Sequence, residues 1–274
     1  MPQEALVSLP DSVNAPLVVQ LTDSHLFARA NGRLLGIDTA ASLQQVVAQV
    51  VREQPRIDLL LASGDLSQDG SVASYQRFCE LTEPLAAPMR WLAGNHDENV
   101  PMAKACGNRD FLETVTDLGA WRLILLDSTV RGCVFGELEQ AQLVTLDEAL
   151  SAAPERPALI CLHHHPVPVG CGWMEPLGLH RADELFAVLD RHPQVKVVLW
   201  GHIHQEFDQL RNGVRLLASP STGLQFEPGS QDFKAGDQAP GYRWLRLLPD
   251  GNLETGVSRL QQHAFTVDHS AAGY

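Results

Sequence analysis

Seven short apolar runs punctuate this chain: APLVVQL (15–21), IDLLLA (57–62), MRWLA (89–93), WRLILL (121–126), ALICL (158–162), VKVVLW (195–200) and VRLLA (214–218). Their length and branched residues predict strands buried on both faces. Between several of them apolar residues recur at helical spacing, in ASLQQVVAQVVREQ (41–54), SYQRFCELTE (74–83), LEQAQLVTLDEAL (138–150) and ADELFAVLDR (182–191). Alternating strands and helices restrict the chain to a layered α/β fold. YRWLRLLPDGNLETGVSRL (242–260) reads as an antiparallel hairpin about Asp250-Gly251. No repeat and no Pro/Gly/Ser-rich linker divides the chain, so one domain over 1–260 with an irregular tail over 261–274 is expected.

The residues just past each run are as informative as the runs themselves. TDSH places Asp23 and His25 after the first, GDLSQDG places Asp65 after the second, and GNHD places Asn95, His96 and Asp97 after the third. HHHP (163–166) and GHIH (201–204) come after two more. In α/β sheets the carboxyl ends of strands gather at one edge, where ligands bind, so these distant residues are expected to meet. Seven of the eleven histidines fall in these five segments. An extended chain would send His202 and His204 to one face. Carboxylate, imidazole and amide oxygen together suit Mn, Fe(II), Zn or Co better than Ca or Mg. Two such ions about 3.5–4 Å apart, bridged by one carboxylate, can activate a shared hydroxide and clamp a phosphate.

Composition narrows the partners. Thirty-three acidic residues against twenty basic ones, net −13, oppose binding to nucleic acid or an anionic membrane. The N-terminal MPQEALVSLPDSV lacks a basic, then apolar, export leader, and no apolar stretch reaches the about 18 to 20 residues of a membrane span. Five cysteines without a C-x-x-C pair point to free thiols in a reducing cytoplasm.

The set D-x-H (23–25), G-D (64–65), G-N-H-D (94–97), H-x-P (164–166) and G-H-x-H (201–204), in that order, resembles the calcineurin-like metallophosphoesterase superfamily. LHHHPVPVGCGWM (162–174), GHIHQE (201–206) and SPSTGLQF (219–226) further resemble the class III 3′,5′-cyclic AMP phosphodiesterases of bacteria. The resemblance implies a four-layer αββα sandwich with mixed sheets. It implies that Asp23, His25 and His204 hold one ion, that Asp65 bridges, and that Asn95, His164 and His202 complete the second, with iron or manganese ahead of zinc or cobalt. His164 is chosen among its neighbours by the family's H-x-P form alone. His25, Asn95, His96 and His204 would also meet the substrate. His96 would contact the phosphate and protonate the departing ribose oxygen. The implied reaction is attack of the bridging hydroxide on cyclic AMP opposite the 3′ oxygen, giving 5′-AMP.

Alternatives stay open at this point. The same core would serve glycerophosphodiesters or 2′,3′-cyclic nucleotides, and a non-catalytic scaffold could keep the fold. GDLSQDG lacks the arginine by which the protein phosphatase branch grips monoesters, which favours diesters. His163 and His165 divide between orienting a ligand and packing. Asp97 reads as holding the loop or orienting His96, Asp69 as a turn or cap residue, and Phe226 as core or rim. Residues 166–179 read either as an irregular connection or as a loop touching the base. His180, His192, His263 and His269 carry no expected function, and a homodimer is left open.

Overall fold

The apolar runs all become strands. A computed structural model describes residues 15–261, 265–270 and 273. The readings of residues 1–13 as free of a leader, of His263, and of tail positions 262–264, 271, 272 and 274 lie outside the described residues. In chain order the sheet strands are β1 (Leu17–Leu21), β2 (Leu59–Ser63), β3 (Met89–Leu92), β4 (Val115–Leu118), β5 (Trp121–Leu125), β6 (Ala158–Cys161), β7 (Val195–Trp200), β8 (Phe207–Arg211), β9 (Val214–Ala218), β10 (Gly241–Leu247) and β11 (Leu253–Arg259). One sheet runs β11-β10-β1-β2-β3 and the other β8-β9-β7-β6-β5-β4. Both are mixed. Parallel β1, β2 and β3 carry the antiparallel hairpin β10–β11, and parallel β5, β6, β7 and β9 carry antiparallel edges β4 and β8.

The two-sided burial of the strands has a simple cause: each sheet is covered twice. Val18, Leu59 and Leu61 of the first sheet meet Leu123, Leu159 and Val197 of the second in a core between the sheets. The alternate residues Val19, Leu60 and Ala62 face helices α1 (Thr39–Glu53), α2 (Val72–Thr82) and α3 (Asn99–Cys106). Ile124, Ile160 and Val198 face α4 (Gln140–Ser151) and α5 (Ala182–Leu189). The result is the four-layer αββα sandwich, with the carboxyl ends of β1, β2, β3, β6 and β7 at one edge. Buried Gln20 ties the sheets there, its Nε2 donating to Ser63 Oγ (2.6 Å) and to the Trp200 carbonyl (3.2 Å).

Of the strands and helices labelled here, β4, β8 and α3 were not foreseen, and each lacks the apolar signal for a physical reason. β4 and β8 are edge strands with partly exposed faces, so VTDL and FDQLR need no continuous apolar run. α3 carries Pro101 in its first turn, where an amide is dispensable. The described part of the tail is held to the body: the Asp268 amide donates to the Leu35 carbonyl at 2.9 Å, and Phe265 packs against two cores.

Candidate metal centre

Each motif turns sharply as its strand ends. Asp23, His25, Asp65, His202 and His204 all take left-handed backbone, with φ between 45° and 64°. Such residues cost about 1–3 kcal/mol each unless the surroundings over-determine them, and they cluster at functional sites. Here hydrogen bonds between motifs hold them. The Asp23 amide donates to the Gly64 carbonyl (3.0 Å), the His25 amide to the Asp65 carbonyl (2.9 Å), and the His202 amide to Asp23 Oδ1 (3.0 Å). This corrects the alternation argument for GHIH. His202 and His204 are not extended, and they enter different donor groups, with Ile203 buried between them. Gly201 is needed for close approach: a Cβ there would lie 2.2 Å from Thr22 Oγ1 and 2.7 Å from Asp23 Oδ2.

The first group joins Asp23, His25 and His204, whose donor atoms lie within 4.8 Å of one another. His25 Nδ1 donates to Gln68 Oε1 (2.6 Å) and His204 Nδ1 donates to the Leu224 carbonyl (2.7 Å). Those acceptors occupy both Nδ1 positions, so both Nε2 atoms face inward. They lie 3.2 Å apart, and Asp23 Oδ1 is 3.2 Å from His204 Nε2. Burial drives the His25 pKa down to about 3, outweighing the nearby Asp65 and keeping the ring neutral. Two inward-facing imidazole nitrogens and a carboxylate converging in a buried space fit a cation.

The second group lies across Asp65. His163 Nδ1 donates to the Ser63 carbonyl (2.9 Å), and its Nε2 sits 3.3 Å from Asp65 Oδ2 and 4.0 Å from Asp23 Oδ1. Asn95 Oδ1 is buried with no hydrogen-bond partner, while His163 Nε2 and Asp65 Oδ2 face each other. His202 Nε2 donates to the Leu177 carbonyl (3.0 Å), leaving Nδ1 as the ring's acceptor. Burial opposes charge on His163, but the carboxylates of Asp65 and Asp23 outweigh it and hold its pKa up to about 9. For Asp65, burial is likewise outweighed, by the imidazoles of His163 and His96, and its pKa falls well below the usual carboxylate range. The orphaned Asn95 oxygen and this donor chemistry fit two borderline divalent ions sharing Asp65.

His164 is placed differently. Its Nδ1 meets Ser128 Oγ (2.8 Å) and its Nε2 the Val134 carbonyl (3.1 Å), so both nitrogens are engaged, although His163, His164 and His202 lie close together. His165 stacks on His202, with ring centroids 5.7 Å apart and an 18° interplanar angle.

His96 sits over the first group, its ring 5.0 Å from that of His25 and its amide donating to Asp65 Oδ1 at 2.9 Å. Asp97 holds the loops together by accepting amides from Gly94 (2.9 Å) and Ser67 (3.0 Å). Burial, then the charge of Asp65, pushes its pKa up to about 7. Asp69 accepts from the Ala28 amide (2.8 Å) and Ser71 Oγ (2.7 Å) as a turn residue, whereas Ser71 caps α2. The 166–179 connection supplies Leu177 to His202 and packs Trp173 on Phe226. Phe226, fully buried, stacks on His204 at 4.2 Å and 10°. The roles of Gln68 and Phe226 in orienting imidazoles were not foreseen. Only the folded chain brings Gln68 to His25.

Comparison with known proteins agrees with this edge of the fold. Residues 16–206 match the family model described as calcineurin-like phosphoesterase. A Pseudomonas aeruginosa protein named 3′,5′-cyclic adenosine monophosphate phosphodiesterase CpdA is 58% identical over 258 residues, 94% of this chain and 95% of that one. The Escherichia coli K12 protein of the same name is 44% identical over 274 residues, 99% of this chain and 100% of that one. A dimetal phosphatase from Danio rerio shares the fold, with a TM-score of 0.62 at 14% identity, covering 84% of this chain and 94% of that one. The order of its motifs, its sandwich and its near full-length relatives make this chain a member of the calcineurin-like phosphoesterase family.

Proposed function

We propose that this chain is a metal-dependent phosphodiesterase that hydrolyses 3′,5′-cyclic AMP to 5′-AMP. The observation that carries the reading is the pair of donor groups about Asp65, in which four imidazoles each give one nitrogen to a fixed acceptor and turn the other inward. The near full-length likeness to proteins named as cyclic AMP phosphodiesterases supports the substrate.

In this reading Asp23, His25 and His204 hold one ion, Asp65 bridges, and Asn95 and His202 hold the second. For the remaining position we assign His163 rather than His164, because His163 Nε2 faces the Asp65 carboxylate at 3.3 Å, whereas His164 has both nitrogens engaged elsewhere. Bound ions would supply Lewis acidity toward phosphoryl oxygens and acidify water. Iron and manganese suit the mixed nitrogen and oxygen donors, as do zinc and cobalt. The chain's own contribution is orientation and proton delivery. His96 donates a proton to the departing 3′ oxygen, its backbone anchored on Asp65. His25, Asn95, His96 and His204 surround the phosphate. No described helix is long and apolar enough to cross a membrane, and the five cysteines are unpaired.

The test is conversion of 3′,5′-cyclic AMP by manganese- or iron-loaded protein, with the product identified chromatographically beside bis(p-nitrophenyl) phosphate. Appearance of 5′-AMP supports the reading. Turnover of the aryl diester alone moves the substrate to another diester.

A further inference from the structure

A cleft of about 500 Å³ opens beside the donor groups, between the loop after β3 and the loop after β5. Asn95 lines it, and its walls also carry Asn99, Asp127, Thr129, Arg131 and Gln142. Its volume is that of a small-molecule site. Half-buried Asp127 is held by three donors: Oδ1 accepts from the Thr129 amide (2.9 Å) and Oγ1 (2.7 Å), and Oδ2 accepts from Asn99 Nδ2 (3.1 Å). A carboxylate offers about four lone-pair sites, so the group is fixed in place with acceptor capacity left on Oδ2.

The charge of the cleft selects among the parts of a nucleotide. Glu98, Asp127 and Glu139 outnumber Arg131 along its walls, which disfavours a phosphate there. A neutral group bearing N–H and O–H donors is favoured instead. Resting on the cyclic nucleotide reading, we propose that the cleft receives the nucleoside half of the substrate and that Asp127 is a specificity-determining residue. Its carboxylate accepts a hydrogen bond from a donor of the nucleoside, while the acidic walls turn the anionic phosphate toward the metal centre.

The test compares kcat/KM for 3′,5′-cyclic AMP with that for bis(p-nitrophenyl) phosphate, whose aryl groups carry no donor, in manganese-loaded wild-type, Asp127→Ala and Asp127→Asn proteins. Because the readout is a ratio, a general loss of folded protein cancels. The cyclic AMP to aryl ratio should fall about tenfold or more in Asp127→Ala, mainly through KM, and less in Asp127→Asn, which keeps an acceptor. A ratio within about twofold of wild type in both variants, or equal losses on both substrates, overturns the assignment of Asp127. Wild-type protein that cleaves the aryl diester but not cyclic AMP sinks the substrate reading and this inference with it.

Discussion

The Nε2 atoms of His25 and His204 lie 3.2 Å apart, on rings whose Nδ1–H groups are already given to Gln68 and to the Leu224 carbonyl. Both Nε2 atoms therefore face the interior beside Asp23 Oδ1, which is 3.2 Å from His204 Nε2. The arrangement suits a cation, and it makes the centre testable through ion content as well as activity.

Asp65 faces both groups, 3.8 Å from His25 Nε2 and 3.3 Å from His163 Nε2. Asp65→Ala should therefore abolish turnover and lower bound metal at both positions, read by elemental analysis. Wild-type activity in that variant would rule out a shared carboxylate.

Proton release separates His163 from His164. Without ions, His163 holds its pKa up to about 9, whereas burial and the charge of His163 drive His164 well below its usual value. For His163 the folded pKa exceeds the unfolded ~6.5, so its stabilisation of ion-free protein is complete below that and is lost as pH rises through about 9. An ion needs the neutral ring, so binding at pH 7 should expel this proton, and affinity should rise with pH toward about 9. Calorimetry in buffers of different protonation enthalpy measures the release. It should shrink in His163→Ala; unchanged release would return the ligand role to His164.

Gly201→Ala places a methyl 2.2 Å from Thr22 Oγ1 and 2.7 Å from Asp23 Oδ2, in a buried turn. Overpacking of this kind costs about 1–3 kcal/mol. We expect a lower thermal midpoint together with weaker metal retention, because the displaced carboxylate is Asp23. A midpoint equal to wild type would show that the turn relaxes freely.

Phe226→Leu should keep the fold and loosen the ring of His204, which stacks on Phe226 at 4.2 Å. Losing such an orienting partner typically lowers metal affinity about 10- to 100-fold. Competition with a chelator reads this directly, and an unaltered affinity would reduce Phe226 to core packing.

His96→Ala should retain bound metal and slow cyclic AMP cleavage more than cleavage of an activated aryl diester, whose leaving group needs no proton. General acid catalysis is worth roughly 10²- to 10⁴-fold. Equal losses on both substrates would remove His96 as the acid.

The sequence alone determined the layers and the edge where the motifs meet. Stretches such as LLLA (59–62) and VVLW (197–200) are apolar at consecutive positions because both strand faces are covered, and that pattern is local. The polar edge strands β4 and β8 left no such mark. Tertiary structure alone decided which imidazole nitrogen faces inward. His163, His164 and His165 are neighbours in one tripeptide, yet a carbonyl from Ser63, a hydroxyl from Ser128 and the ring of His202 give them three different environments. Those partners come from other strands and loops, and a ring's tautomer depends on the acceptor that reaches it, which no spacing within HHHP encodes.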